Sequence, residues 1–434
     1  MESNPLLMPR AAVGVKPQTA YLWLVFSAVG GMIYGYNVSI APALPYIADS
    51  LNLSTSQQEI ASASATLSDA CTMLVGGFLA DTLGRKTTAM AACIMSIVGA
   101  VGMLVAHSSF PAFVAWRLCT GVGNALSILV LPMYISESLD RMRRGRCIAF
   151  FQLGVLSGCV LPYIVMLAVE EWRVALGLGA VPALVVLGLF ASNVFGESAP
   201  WIAWTNTRMT HDTVAHSPAA TSWRITTELG LGILLAYSNN SIDPTLFYGP
   251  EIIAQTLGTF TRRSSNAIGL VLTALSVLSV GAAAVLLGNT YSRRTFYLVC
   301  HGIVVACFFV CAVFFVAFPS AMPLAVTLAT LVAMATLVFF QTCGPGLLFV
   351  LIVSELFTDA RVRATHMSIC TFAMSAFSLA MNGTMLSLFD ALGVGATFFV
   401  YGLSYAACLV VFYYYLPETS TRTVMKHVDE PADV

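Results

Sequence analysis

The chain has 434 residues, of which 58% are apolar and only 9% charged, whereas a soluble domain carries charge on about a quarter of its positions. So few charges cannot cover a water-facing surface. The 20 Lys and Arg nearly balance 21 Asp and Glu, which removes nucleic acid as an expected partner. The basic residues fall in short clusters between apolar runs, where a lipid bilayer is the fitting partner. The 11 cysteines show no CxxC and no Cys/His spacing of a zinc site, so they read as helix-packing residues, with no metal and no cofactor. No nucleophile–base arrangement or phosphate loop stands out, which sets enzymes aside.

The polar start, with Pro5, Pro9, Arg10, Lys16 and Pro17, lacks a short hydrophobic core followed by a small-residue cleavage site. The first membrane helix is therefore expected to serve as the signal. A hydrocarbon core about 30 Å thick needs about 20 apolar residues of helix. Twelve such windows run near 19–41, 58–80, 87–107, 111–134, 147–169, 173–194, 226–255, 266–288, 295–317, 323–357, 364–389 and 393–416. No stretch alternates with the period of a barrel strand, so the fold class is all-α, a polytopic membrane protein. Gly31 with Gly35, and Gly154 with Gly158, are spaced for close helix approach in a bilayer.

Arg85, Lys86, Arg141, Arg143, Arg144, Arg146, Arg208, Arg224, Arg293, Arg294, Arg361 and Arg363 all occupy even-numbered connections. By the positive-inside rule those connections, and both termini, are cytoplasmic. Asn52-Leu53-Ser54 is then a glycosylation sequon in the first outer connection. The longest polar interruption divides six windows from six. The expected organisation is a tail at 1–18, a six-helix bundle at 19–195, a linker at 196–224, a second bundle at 225–416 and a tail at 417–434. Cationic turns recur after the second and eighth windows, and Glu137 and Glu355 each precede an Arg cluster, which points to internal duplication around a site between two rocking bundles.

Specific motifs follow. Gly77-Phe-Leu-Ala80-Asp81-Thr-Leu-Gly84-Arg85-Lys86 resembles the loop 2-3 signature of the major facilitator superfamily, and Pro132-Met-Tyr134-Ile-Ser-Glu137 resembles the PxYxxE element of its sugar porters. Arg117 in RLCTGVG, Gln152 in FQLGVLSG, FYGPEI from Phe247 to Ile252, GPG and SELF between Gly344 and Phe357, and PET at Pro417–Thr419 are further matches. The resemblance spans nearly the whole chain and implies the major facilitator fold, with a carrier activity for a hexose, a polyol or another small polar solute by alternating access. It also implies that Asp81, Arg85, Glu137, Arg144, Arg146, Arg293, Glu355 and Arg363 form a cytoplasmic latch, for which forked guanidinium–carboxylate pairs are suited; Glu197 is a further candidate.

Gln152 both donates and accepts hydrogen bonds, as adjacent sugar hydroxyls do; an interhelical amide bond is its alternative role. Asn37 stands where proton-coupled members carry aspartate and facilitative hexose carriers carry asparagine. An amide cannot cycle a proton, which favours facilitated diffusion, with a polar contact between helices as the alternative role. Asp69 and Asp243 are acids at membrane depth and candidates for coupling. Asp243 closes a polar stretch from Tyr237 to Pro244 in which an unwound helix is expected to line the cavity. For Asp69, hydrogen bonding to nearby Ser and Thr is the alternative.

The resemblance also breaks. Tyr237 and Ser238 stand at the family's two glutamines and Asp243 at its asparagine, while Leu347, Val350, Met374, Ser375, Asn289 and Ser292 replace other signature residues. The expected solute site is therefore Gln152, Asn37, Tyr237, Ser238, Asp243 and Gln341, with selectivity rewritten in the second half. Proton-coupled symport through Asp69 or Asp243, and a non-transporting nutrient sensor, are the competing readings. The plasma membrane is the expected residence, an organelle membrane the alternative.

Overall fold

A computed structural model describes residues 17–105, 109–139, 141–192, 194–198, 201–202, 222–243, 248, 261–289, 292–318, 323–357 and 360–418. Every regular element among them is helical. The first half of the chain supplies α1 (Pro17–Val38), α2 (Leu44–Leu51), α3 (Thr55–Leu83), α4 (Arg85–Val105), α5 (Phe110–Ser138), α6 (Arg141–Val169), α7 (Trp172–Gly177) and α8 (Ala180–Ala191). The second half supplies α9 (Ser222–Asn239), α10 (Arg262–Asn289), α11 (Arg293–Ala317), α12 (Leu324–Gln341), α13 (Leu347–Leu356), α14 (Ala360–Asn382), α15 (Met385–Leu392) and α16 (Val394–Tyr415). Among the described residues nine helices are long and apolar enough to cross a membrane, or ten if the bent pair α14–α15 is one span. The more polar α1 and α9 fall outside that count.

Helix ends follow local chemistry. Ser54 starts α3 with a capping box, its hydroxyl accepting from the Gln57 amide while the Gln57 side chain accepts from the Ser54 amide. Gly84 ends α3 at φ 96°, a left-handed backbone that glycine adopts without strain, so α4 can start at the next residue. Asn52 ends α2 at φ 50°, the left-handed conformation that asparagine tolerates best after glycine. Several spans are broken: α7 and α8 are parted at Leu178-Gly179, and the second half has further breaks. Between α12 and α13 lies a π-helical turn, Thr342–Gly346, built on Gly344-Pro345-Gly346. After Asn382 the chain bends by 43° into α15.

The tightest contact inside the first half is α1 against α6, and glycines make it. A Cβ on Gly31 would sit 2.0 Å from the Phe151 carbonyl oxygen, and one on Gly35 1.8 Å from that of Val155. From the other side, a Cβ on Gly154 would lie 1.9 Å from the Ala28 carbonyl oxygen. Lipid offers little hydrophobic drive between helices, so backbone-to-backbone van der Waals contact supplies the packing energy. The halves meet where α3 packs on α14 and α6 on α10, with Tyr163 of α6 filling the space that Gly269 of α10 leaves. Large apolar side chains such as Leu74, Phe78 and Val313 face outward, as a lipid-exposed surface requires.

Gly35→Ala is expected to destabilise the protein by about 3 kcal/mol, the upper part of the range for overpacking, because the obstructing atom is backbone and cannot rotate away. Gly188→Ala, with open space around it, serves as the control. Thermal unfolding in nanodiscs checks this; equal midpoints for the two variants would contradict the close α1–α6 approach.

Candidate solute cavity

A cavity of about 190 Å³ opens between the halves, walled by α1, α3, α5 and α6 on one side and by α9, α10, α12 and α14 on the other. Near it α9 loses its regular winding: the helix stops at Asn239 and tightens into a 3₁₀ turn, Asn240–Ile242, that delivers Asp243. The π-helical turn after Gln341 stands across from it and contributes Thr342 and Gly346 to the wall. Both breaks free backbone from the α-helical ladder at the depth where polar groups collect, a common signature of functional sites.

The polar wall has fixed orientations. Gln341 Nε2 donates to the carbonyls of Asn239 at 2.8 Å and Ser238 at 3.3 Å, which turns its Oε1 away as an acceptor with no partner among the described residues. Asn240 Nδ2 donates to the Met374 carbonyl at 2.7 Å. Asn239 Nδ2 lies 3.1 Å from the Met374 sulfur, and its Oδ1 is again unpaired. On the opposite wall Arg117, 1% exposed, donates through one terminal nitrogen to the Asn37 carbonyl at 2.9 Å and leaves its Nε unpaired. Asn124 Oδ1 and Asp69 Oδ1 complete the set of five buried polar atoms, unpaired among the described residues, on side chains that line the cavity. Buried polar atoms are ordinarily hydrogen-bonded, so a group of them around one hollow points to a polar occupant. Gln152 lines the same hollow from α6.

The two acids meet the cavity with serine partners. Asp69 Oδ2 accepts from Ser375 Oγ at 2.8 Å, and Asp243 Oδ2 from Ser378 Oγ at 2.5 Å. Ser375 and Ser378 sit three apart on α14, on one face of the helix. Asn382 Nδ2 then donates to Ser378 Oγ at 3.2 Å.

At the end of the first half that carries Gly84, Arg85 is held by Asp81 at 2.7 Å, by Glu137 at 3.2 Å and by the Ala80 carbonyl at 2.7 Å. Ser198 Oγ donates to the second Glu137 oxygen, and Glu197 accepts the Lys86 amide at 3.0 Å, capping the start of α4. The second half repeats the device: Glu418 accepts the Arg294 amide at 3.3 Å at the start of α11. Among the described residues Glu137 is held by Arg85 and Ser198, while Arg144 keeps its Nε unpaired and Arg146 is exposed. Arg293 starts α11 beside Arg294. The side chains of Glu355 and Arg363 lie outside the described residues.

The family model described as "Sugar (and other) transporter" matches residues 23–215 and 208–429. The chain belongs to the sugar transporter family. The transporter is 26% identical over 441 residues to "Probable polyol transporter 4" of Arabidopsis thaliana, covering 92% of this chain and 82% of the relative. It is 32% identical over 209 residues to the arabinose-proton symporter of Escherichia coli K12, covering 47% of this chain and 43% of that one. A crystal structure of a D-xylose-proton symporter superposes with TM-score 0.76 at 18% identity, over 93% of this chain and 99% of that chain. The major facilitator fold and a multi-pass membrane carrier of sugars follow from the family match and this superposition.

Of the side chains expected at the transporter's solute site, Gln152, Asp243 and Gln341 line the cavity, and Asn37, Tyr237 and Ser238 do not. Tyr34 and Val38 take the cavity face of α1, which turns Asn37 toward the α7–α8 junction, where its Oδ1 lies 2.6 Å from the place a Cβ on Gly179 would occupy. Tyr237 bonds Ser404 at 2.6 Å and stacks edge-on against Phe377. Ser238 bonds Tyr297 at 2.5 Å in the core of the second half. At the family's two glutamine positions, then, both side chains are spent on internal packing. Arg117, Asn124, Asn239 and Asn240 line the cavity in addition. Polar side chains inside apolar windows were the available signal for all four.

Glu137→Ala removes the acceptor of both Arg85 and Ser198. Solute exchange in proteoliposomes is expected to slow by about tenfold, roughly one charge-assisted hydrogen bond, with binding affinity held within about twofold. An affinity loss as large as the rate loss would contradict a gating role.

Proposed function

We propose that this sugar transporter carries a small polyhydroxylated solute, a polyol or a pentose- to hexose-sized sugar, by alternating access and facilitated diffusion. The observation that carries the reading is the set of unpaired amide, carboxylate and guanidinium atoms around one hollow between the halves. Hydroxyl groups both donate and accept, so a polyol can satisfy acceptors such as Gln341 Oε1 and donors such as Arg117 Nε in one pose. Gln152 has both functions to offer at the cavity wall. The relatives named for polyols and myo-inositol span most of the chain, which favours that class. Asp243, at the position where sugar porters carry an amide, is the residue to which we assign altered selectivity.

The Arg85 and Arg293 turns face the cytoplasm in this reading, with both termini inside, two six-helix units joined through 196–224, and the plasma membrane as residence. The Asp81–Arg85–Glu137 cluster serves as the cytoplasmic latch. A second reading, proton-coupled symport, is favoured by the burial of both Asp69 and Asp243, 5% and 6% exposed, at the cavity. An acid at membrane depth is costly unless paired, protonated or wet, and a carrier can use that cost to couple a proton.

Counterflow in proteoliposomes with myo-inositol, sorbitol, D-xylose and D-glucose tests both. Facilitated diffusion predicts equilibrating uptake without a proton gradient; accumulation that requires the gradient would establish symport instead. Binding without flux would overturn the carrier mechanism in favour of a sensor. Gln152→Ala is expected to weaken affinity about tenfold, the upper range for one uncharged hydrogen bond, and unchanged affinity would remove Gln152 from the site.

A further inference from the structure

The bent span α14–α15 carries three serines between the cavity and the end of the bundle remote from Arg85, and each grips a carboxylate. Ser378 holds Asp243 inside the second half. The other two reach into the first half, and both reach the same helix, α3. Ser375 Oγ donates to Asp69 at 2.8 Å, while the Ser387 amide and hydroxyl donate to the two oxygens of Glu59 at 2.7 Å each. Glu59 and Asp69 are both 5% exposed. Ten residues of helix part them, about 15 Å along the axis. One helix of the first half is thereby pinned to one span of the second at two heights.

We propose that Glu59 and Asp69 form a two-point carboxylate–serine clasp that holds the end of the carrier remote from Arg85 closed. The proposal rests on the alternating-access reading, since closure at one end is a step of that cycle.

Three features support it. Separating the halves breaks three buried hydrogen bonds and leaves their acceptors to be rehydrated. The two points differ in what surrounds them. Glu59 has both oxygens occupied and lies outside the cavity lining, whereas Asp69 borders the cavity and keeps Oδ1 unpaired among the described residues. The 43° bend after Asn382 falls between them, so α15 can swing away with Ser387 while α14 keeps Ser375 on Asp69. Other links at this end are neutral or exposed: Asn266 Nδ2 donates to the Pro42 carbonyl at 3.2 Å. Asp49 pairs with Arg262 with both side chains about half exposed, and Arg263 reaches Glu170 at 3.8 Å. The Arg262 guanidinium holds the Asp49 carboxyl below its usual range, so the pair is intact at neutral pH, yet exposed pairs contribute little to closure.

Spin labels on Asn52→Cys and Asp390→Cys, both exposed and on opposite halves, report this end directly. With the exposed native Cys71 replaced by Ser, their distance distribution is measured by pulsed electron resonance in nanodiscs, without added solute. Glu59→Gln, Ser387→Ala and Ser375→Ala are each expected to raise the ratio of separated to closed populations about tenfold, equivalent to about 1.4 kcal/mol. Glu59→Gln combined with Asp69→Asn is expected to raise it further, and Asp49→Asn to change it by less than about twofold. The two serine variants delete one hydroxyl each and keep the proposal open to refutation where an acidic variant fails to fold. Distributions for Ser387→Ala and Ser375→Ala identical to the parent's would overturn the clasp. The readout needs no transport: absent flux with a shifted distribution sinks the carrier reading alone, and flux with an unshifted one sinks the clasp alone.

Discussion

Polar groups inside a bilayer must find partners within the protein, and that constraint organises this molecule from the helix ends to the cavity. Along the outward faces it leaves apolar side chains. Within each half it buries serine and threonine hydroxyls against carbonyls one turn back, as Ser127 does with Gly123 and Thr273 with Gly269. At the interface of the halves the rule is relaxed around the cavity. There Arg117, Asn124, Asn239, Gln341 and Asp69 keep atoms unpaired among the described residues around a common hollow. In the proposed function, a polar solute crossing the membrane would meet in that hollow the partners that lipid denies it.

The two halves meet this constraint with repeated devices rather than with repeated sequence. Glu197, after the last span of the first half, caps the start of α4 through the Lys86 amide, and Glu418, after the last span of the second, caps α11 through the Arg294 amide. Each ties a terminal segment to an arginine-bearing turn with one carboxylate. Breaks occur in both halves, at the α7–α8 junction in the first and in α9, the α12–α13 span and the α14–α15 span in the second. The α3 helix that faces α14–α15 is continuous over 29 residues, so at that contact an unbroken helix meets a bent span.

Much of this was legible in the sequence because it depends on neighbours in the chain. The spans follow from apolar length, the Gly31–Gly35 and Gly154–Gly158 spacings from close packing, and the unwound stretch before Asp243 from Asn239-Asn240-Ser241 and Pro244. Arg85, Asp81 and Glu137 were found through motifs, and the structure brings them within hydrogen-bond reach. What stayed hidden depends on rotation about helix axes and on distant partners. One residue of helix is about 100°, so a motif at Gly35-Tyr36-Asn37 cannot tell whether Tyr34 or Asn37 faces the cavity. Tyr237 and Ser238 likewise lost the site to Ser404 and Tyr297, partners 167 and 59 residues away. The Ser375–Asp69 bond joins positions 306 apart, and no local pattern announces it. PET supplied Glu418 as a motif without a role until its contact with α11 was seen.

Two similar bundles side by side put their arginine turns at the same end, with one polar cavity between them. Single cysteines at Thr82 and Thr295, next to the Arg85 and Arg294 turns, report that arrangement through reaction with a membrane-impermeant thiol reagent applied to sealed right-side-out and inside-out vesicles. Both positions are expected to react from the same face, the cytoplasmic one. Reaction from opposite faces would break the side-by-side arrangement of the bundles, and the cavity would go with it.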